Sequence, residues 1–195
     1  MNIYEQSAQS ELQLPGLGID WEFHKPRFDK VLEWIELIKP KSVMDVGCGW
    51  GYILDMLSKY IETKDGIDIS PTKVGYCRGK GFNVSELSIG NSIGVLRWNK
   101  GYDLVIAMEL LEHFNSPFSI ACNCTYFCNR NGHIIFSTPV YENIEEAVDG
   151  KSHLVYILPE DHLLMSQKIG KVRDFLVVKS PNPLYGWTMS LVETW

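Results

Sequence analysis

Apolar residues recur along this chain with two different periods, and their alternation predicts a fold. Phe28, Val31, Leu32, Ile35 and Ile38 are spaced three and four apart, so they form one face of a helix over 26–38. Pro26 suits the first turn of that helix and Pro40 stops it. Short apolar runs then alternate with helical patterns. Strands are expected over 42–46, 66–69, 82–87, 102–108 and 133–138, and the run over 102–108 is nearly all apolar, as in a strand buried on both faces. Helices are expected over 53–60, 71–80, 117–128 and 159–168, with Ser70 as a cap and Pro71 at the first position of the second. Two closing strands, 172–179 and 188–193, have no helix between them and therefore form an antiparallel hairpin at the sheet edge. The pattern as a whole predicts an open, doubly wound α/β sheet, mostly parallel, with helices on both faces.

Length and composition fit that reading. The 195 residues, 45% of them hydrophobic, suit one domain with a full core, assigned to 25–195. Residues 1–24 read as an arm or lid, broken at Pro15-Gly16-Leu17-Gly18, and the aromatic residues Trp21 and Phe23 would let it fold over a ligand. A net charge of −6 with both signs interspersed disfavours nucleic acid, and Lys73, Arg78 and Lys80 read as the solvated face of a helix. No run approaches the roughly 20 apolar residues that cross a bilayer, and the polar first residues lack the apolar core of a signal peptide. Five cysteines in no disulfide pattern agree with a cytoplasmic protein. Cys122, Cys124 and Cys128 are expected on one helix as free thiols, since no second Cys/His pair stands at zinc-like spacing.

Chemistry concentrates where the first strand ends. Asp45 runs directly into Gly47, Gly49 and Gly51, and glycines there let the backbone turn tightly and admit a ligand. A nicotinamide-dinucleotide fingerprint needs its third glycine one residue later, where Tyr52 stands. Asp45 would also repel a pyrophosphate, because like charges at ~4 Å cost on the order of 4 kcal/mol at an effective dielectric of 20. It would instead suit a cationic ligand carrying an adenosine. Asp68, near the end of the second strand and about 20 residues past the glycines, is placed to accept both ribose hydroxyls.

On these residues a resemblance rests. Segment 42–51 resembles motif I of class I S-adenosylmethionine-dependent methyltransferases, and Gly66-Ile67-Asp68-Ile69-Ser70 resembles their acidic second strand. Segments 102–113 and 132–139 are most similar to the subgroup containing ubiquinone-biosynthesis O-methyltransferases. The resemblance implies a Rossmann-like methyltransferase sheet that binds S-adenosylmethionine and methylates a small-molecule nucleophile, more readily a hydroxyl than nitrogen or carbon. It implies that Asp45, Gly47 and Gly49 hold the amino-acid end of the cofactor and Asp68 the ribose. Asn91 and Ser92 would flank the adenine, with Ile69 and Ile93 as apolar contacts, and Met108 and Glu109 would line the methionine moiety.

Glu109, Glu112 and His113 form a separate constellation that, in a helical turn, would share a face. His113, with Glu112 beside it, would act as general base on the acceptor hydroxyl. Alternatively Glu109, Glu112 and His113, with His153, would hold a divalent metal, as in metal-dependent small-RNA 2′-O-methyltransferases whose motif is similar. The acids would otherwise only favour a helix dipole. Other classes stay open at this stage: a catalytically silent cofactor-binding regulator, an RNA 2′-O-methyltransferase and, on fold alone, a nicotinamide oxidoreductase.

Overall fold

The computed structural model describes residues 3–14, 19–91, 95, 98–142 and 153–195. Helices α1 (Ile3–Glu11) and α2 (Trp21–Ile38) lead into β1 (Ser42–Val46), α3 (Tyr52–Met56), β2 (Thr63–Asp68), α4 (Pro71–Gly79) and β3 (Asn83–Glu86). They are followed by β4 (Tyr102–Met108), α5 (Pro117–Thr125), β5 (Cys128–Tyr141), α6 (Pro159–Ile169), β6 (Gly170–Lys179) and β7 (Tyr185–Thr194). Among the described residues the strands form one sheet of order β3-β2-β1-β4-β5-β7-β6. The first five pair in parallel, while β7 runs antiparallel to both β5 and β6. The expected hairpin is therefore present, with its second strand lying inside the sheet against β5.

Alternation along the central strand places it between two cores. Val105 and Ala107 of β4 pack with Ile120, Phe127 and Ile134, while Leu104 and Ile106 pack with Val31, Trp34, Leu57 and Trp187. Side chains of a strand point to opposite faces in turn, so a nearly continuous apolar run is what two covered faces require. Strand order reverses at β1 and β4, which opens a crevice at their carboxyl ends.

The local structure departs from the sequence reading at three places. Helix α2 starts at Trp21, because the Asp20 side chain accepts from the Phe23 N–H and caps it there. Pro26 consequently lies inside the helix, and Trp21 and Phe23 belong to its first turn. The helix expected over 53–60 is α3 followed by a 3-10 turn, Leu57–Lys59. Cys128 begins β5 rather than continuing α5, so the three cysteines do not share a helix; all five cysteines are free thiols. Among the described residues, no helix is long and apolar enough to cross a membrane.

Candidate active site

The turn after β1 is shaped by three glycines with positive φ: Gly47 at 75°, Gly49 at 53° and Gly51 at 77°. L residues with side chains adopt such angles only under strain. A Cβ on Gly47 would stand 2.9 Å from Leu110 Cδ1, whereas one on Gly49 would meet nothing within 4 Å, so the Gly49 backbone faces open space. Backbone N–H groups of Gly47 and Cys48 donate to the Ile67 carbonyl and tie the loop to β2.

Two connected cavities meet at this loop. The first, about 190 Å³, is lined by Asp68, Ile69, Leu87, Ser88, Ile89 and Phe114, among others. The second, about 490 Å³, is lined by Asp45, Arg27, His24, Phe28, Tyr52 and Met108, among others. Gly47, Gly49, Lys73 and Glu109 line both. Asp68 Oδ2 accepts from Gly49 N–H at 2.9 Å and Oδ1 from Ser70 N–H at 2.8 Å, which fixes the carboxylate at the mouth of the first cavity. Each oxygen keeps a lone pair for a further donor. Asn91, by contrast, is exposed and lies outside both linings; Leu87, Ser88 and Ile89 occupy the place expected of it. Ser92 and Ile93 lie outside the described residues.

The second cavity holds Asp45 and Arg27, an acid and a base with polar atoms that find no hydrogen-bond partner among the described residues. Asp45 is buried and its Oδ2 accepts nothing. Burial, reinforced by the Asp68 charge, pushes its pKa up to about 8. Arg27 is equally buried; its guanidinium lies 5.1 Å from the ring centroids of both Phe28 and Trp187. Its Nε has no hydrogen-bond partner, and Nη1 stands 3.3 Å from Glu109 Oε1 without hydrogen-bonding alignment. Buried ionisable groups left unsatisfied are costly, and their natural complement is a ligand of opposite charge. Arg27 was missed in the sequence although it left a signal: it is a charged residue on the Val31, Trp34 face that α2 turns to the core.

Glu109 sits at φ 52° and its carboxylate is surrounded by donors. Ser137 Oγ donates to Oε1 at 2.9 Å, while Trp187 Nε1 at 3.1 Å and Tyr185 OH at 3.3 Å donate to Oε2. Glu109 thus faces Arg27 and β7, and the expected metal set of Glu109, Glu112, His113 and His153 is not assembled as a whole. Left-handed backbone at Glu109 sends its side chain away from the 3-10 turn Leu111–His113 that carries the other two. Glu112, His113 and His153 do converge, with one ligand atom from each within 4.8 Å of the others. Glu112 is buried, neither of its oxygens has a hydrogen-bond partner among the described residues, and burial and the nearby Glu109 raise its pKa well above the usual carboxylate range. His113 lines the first cavity, and its ring packs edge-on to Tyr4 and to His153.

A family model described as a methyltransferase domain matches residues 22–168. The chain belongs to that methyltransferase-domain family. It is 31% identical over 146 residues to the ubiquinone biosynthesis O-methyltransferase of Vibrio parahaemolyticus, a match covering 69% of this chain and 60% of that protein. The chain spans about 60% of the length of the curated relatives it matches. Its fold is that of the N-methyltransferase NodS from Bradyrhizobium japonicum, crystallised with S-adenosyl-L-homocysteine, at TM-score 0.78, 14% identity and 99% coverage of both chains. The [4+2]-cyclase SpnF shares the fold at TM-score 0.68 and 16% identity, covering 93% of this chain and 85% of its own. The sheet order is that of a class I, Rossmann-like methyltransferase; the reaction must be argued from the site.

In this methyltransferase-domain protein α1 roofs both cavities. Tyr4 lines the first and Glu11 the second. Glu5 accepts from Ser70 Oγ and Thr72 Oγ1 at the start of α4, and Glu11 accepts from Trp50 Nε1 and pairs with Lys73 at 3.1 Å. Those interactions join the roof to the glycine turn and to the helix after Asp68.

Proposed function

We propose that the chain transfers a methyl group from S-adenosylmethionine to a hydroxyl of a small molecule. The observation that carries this reading is that Asp45 and Arg27, buried in one cavity, each keep polar atoms without a hydrogen-bond partner. An amino acid presents an ammonium and a carboxylate; Asp45 and Arg27 offer the matching carboxylate and guanidinium. Gly47 and Gly49 give that end backbone access, Met108 gives it an apolar wall, and Asp68 takes the ribose hydroxyls. Ile69, Leu87 and Ile89 would enclose the adenine, with Ser88 as its polar neighbour.

When bound, the cofactor supplies an electrophilic methyl group on a sulfonium. The protein has to hold the acceptor oxygen in line with it, exclude water and remove one proton. Positioning alone supplies much of the rate in such a displacement. Gly47, Gly49 and Met108 would hold that sulfonium so that it could give its methyl to the acceptor oxygen and keep the electron pair of the broken carbon–sulfur bond. His113, at the wall of the first cavity, takes the hydroxyl proton. Glu112, buried and pushed toward its protonated form, stands beside it as a positioning residue.

A second reading of the same groups is favoured by the two unbonded oxygens of Glu112. Two imidazoles and a carboxylate form a donor set suited to zinc, manganese or iron(II). Glu112, His113 and His153 would hold such an ion, which would acidify the acceptor hydroxyl directly. The net charge of −6 supports neither reading as an RNA enzyme.

Calorimetry with S-adenosylhomocysteine tests the cofactor assignment: binding by the wild type, weakened about a hundredfold or more by Asp68→Ala, is expected, with NAD giving no heat. Equal affinity in a folded Asp68→Ala protein would remove the ribose assignment. Turnover on a panel of phenols, catechols and amines then tests the acceptor class, and a chelator arm separates the two readings of His113. Activity surviving chelation but losing its pH dependence in His113→Ala supports the base. Activity lost on chelation and restored by one divalent ion supports the metal. No turnover on the panel despite cofactor binding favours a silent regulator.

A further inference from the structure

Glu109 is the charge that the cofactor contacts above leave unmatched. We infer that it discriminates S-adenosylmethionine from S-adenosylhomocysteine by the sulfonium charge, a specificity role that rests on the proposed cofactor assignment. The argument begins with where the charge lies. Asp45 and Arg27 line one cavity and Asp68 the other, while Glu109 belongs to both linings. In the cofactor, sulfur joins the amino-acid arm to the ribose, so it has to lie where the two cavities meet. Gly47, Gly49, Lys73 and Glu109 form that junction. Lys73 is a cation paired with Glu11 at 3.1 Å, so Glu109, with Arg27 Nη1 3.3 Å to its other side, is the carboxylate of the junction that faces a sulfonium.

The charge balance points the same way. With Asp45 ionised against the ammonium, Asp45 and Glu109 contribute two negative charges and Arg27 one positive. The amino-acid arm with its sulfonium carries one net positive charge, and the same arm after methyl transfer carries none. The cavity is therefore complementary to the donor and one charge in excess for the product. The neighbouring His24 does not offset this, because burial and the Arg27 charge lower its pKa to about 4 and keep it neutral.

Glu109 is also built to stay in place whether or not a ligand is present. Ser137, Tyr185 and Trp187 donate to both its oxygens, from two different strands. Its backbone is held at φ 52°, an angle that costs a non-glycine residue free energy and persists where surrounding contacts impose it. A preorganised carboxylate acts on a cation without the cost of reorienting. Favouring the donor over the thioether product would ease product release and limit product inhibition.

Dissociation constants for both molecules, measured by calorimetry on wild type, Glu109→Gln and Arg27→Gln, test the inference. Glutamine keeps an acceptor for Trp187 and Tyr185, removes the charge, and turns the Ser137 hydroxyl from donor to acceptor. Glu109→Gln is expected to weaken S-adenosylmethionine at least about tenfold more than S-adenosylhomocysteine, a floor below the roughly hundredfold that one charge at ~6 Å gives at an effective dielectric of 20. Arg27→Gln, an independent variant should the first not fold, weakens both but moves the ratio the opposite way, toward the sulfonium. A ratio within about twofold of wild type in either folded variant overturns the proposal. A wild type that binds neither molecule overturns the cofactor assignment and this inference with it.

Discussion

A carboxylate buried without a partner is a poor anion, and Asp45 makes this measurable. In the empty protein its pKa stands at about 8, raised first by burial and then by Asp68. Below that pH the group is neutral, yet a cofactor ammonium requires it ionised, so binding has to release a proton. Cofactor affinity should therefore rise about tenfold per pH unit from pH 6 toward 8 and flatten above. Asp45→Asn should bind weakly with no such slope; calorimetry in buffers of differing ionisation heat counts the proton directly. A flat wild-type profile would show that Asp45 already carries its charge. The placement of Asp45 and Asp68 in adjoining cavities was legible in the sequence because one precedes the glycine turn and the other stands about 20 residues past it. Arg27 was not, since a helical arginine beside Phe28 reads equally as a snorkelling surface residue. Nor was the orientation of Glu109, which depends on a φ angle and on donors from β5 and β7 far along the chain.

Helix α1 is a roof fastened by carboxylates at both ends. Glu5 binds hydroxyls at the start of α4, and Glu11 binds Trp50 and Lys73. Only Ala8 of this helix is buried, so packing contributes little to holding it down. Partly exposed ion pairs and hydrogen bonds of this kind hold a helix weakly, since water competes for each partner. Glu5→Gln with Glu11→Gln should accordingly speed release of S-adenosylhomocysteine several-fold in stopped-flow, while the thermal midpoint moves little. Unchanged release would mean that cofactor exchange does not pass under α1. The sequence reading took residues 1–24 as an arm because α1 is largely polar and offers no apolar face to recognise. By contrast Ser70 and Pro71 announced α4 without ambiguity, and Ser70 accepts from the Lys73 N–H as a cap should. Pro26 misled the start of α2 because Asp20 caps the helix earlier and leaves the proline inside it, where it has no N–H to give the Glu22 carbonyl.

Across the whole molecule the mostly parallel, doubly wound sheet followed from the alternation of strand and helix, whereas its strand order and cross-layer ties did not. His162 of α6 is one of them: buried, it exchanges hydrogen bonds of 2.9 Å with Thr138 of β5 and Ser190 of β7. Burial lowers its pKa from 6.5 to about 4. The folded protein therefore takes up this proton later than the unfolded chain does. Stability from His162 is complete above pH 6.5 and is lost as pH falls toward 4, by about 3 kcal/mol in all. His162→Gln should flatten part of the decline in urea midpoint between pH 7 and 4.5; an unchanged slope would assign the acid sensitivity elsewhere. Strand β7 carries a further consequence. It is late in the sequence, yet it lies inside the sheet and supplies Tyr185 and Trp187 to Glu109. During synthesis the glycine turn, Asp45 and Asp68 emerge from the ribosome well over a hundred residues before those two donors. The adenosine side of the cleft can thus take shape on a partial chain, while the arm that reads the sulfur waits for the final strand to insert.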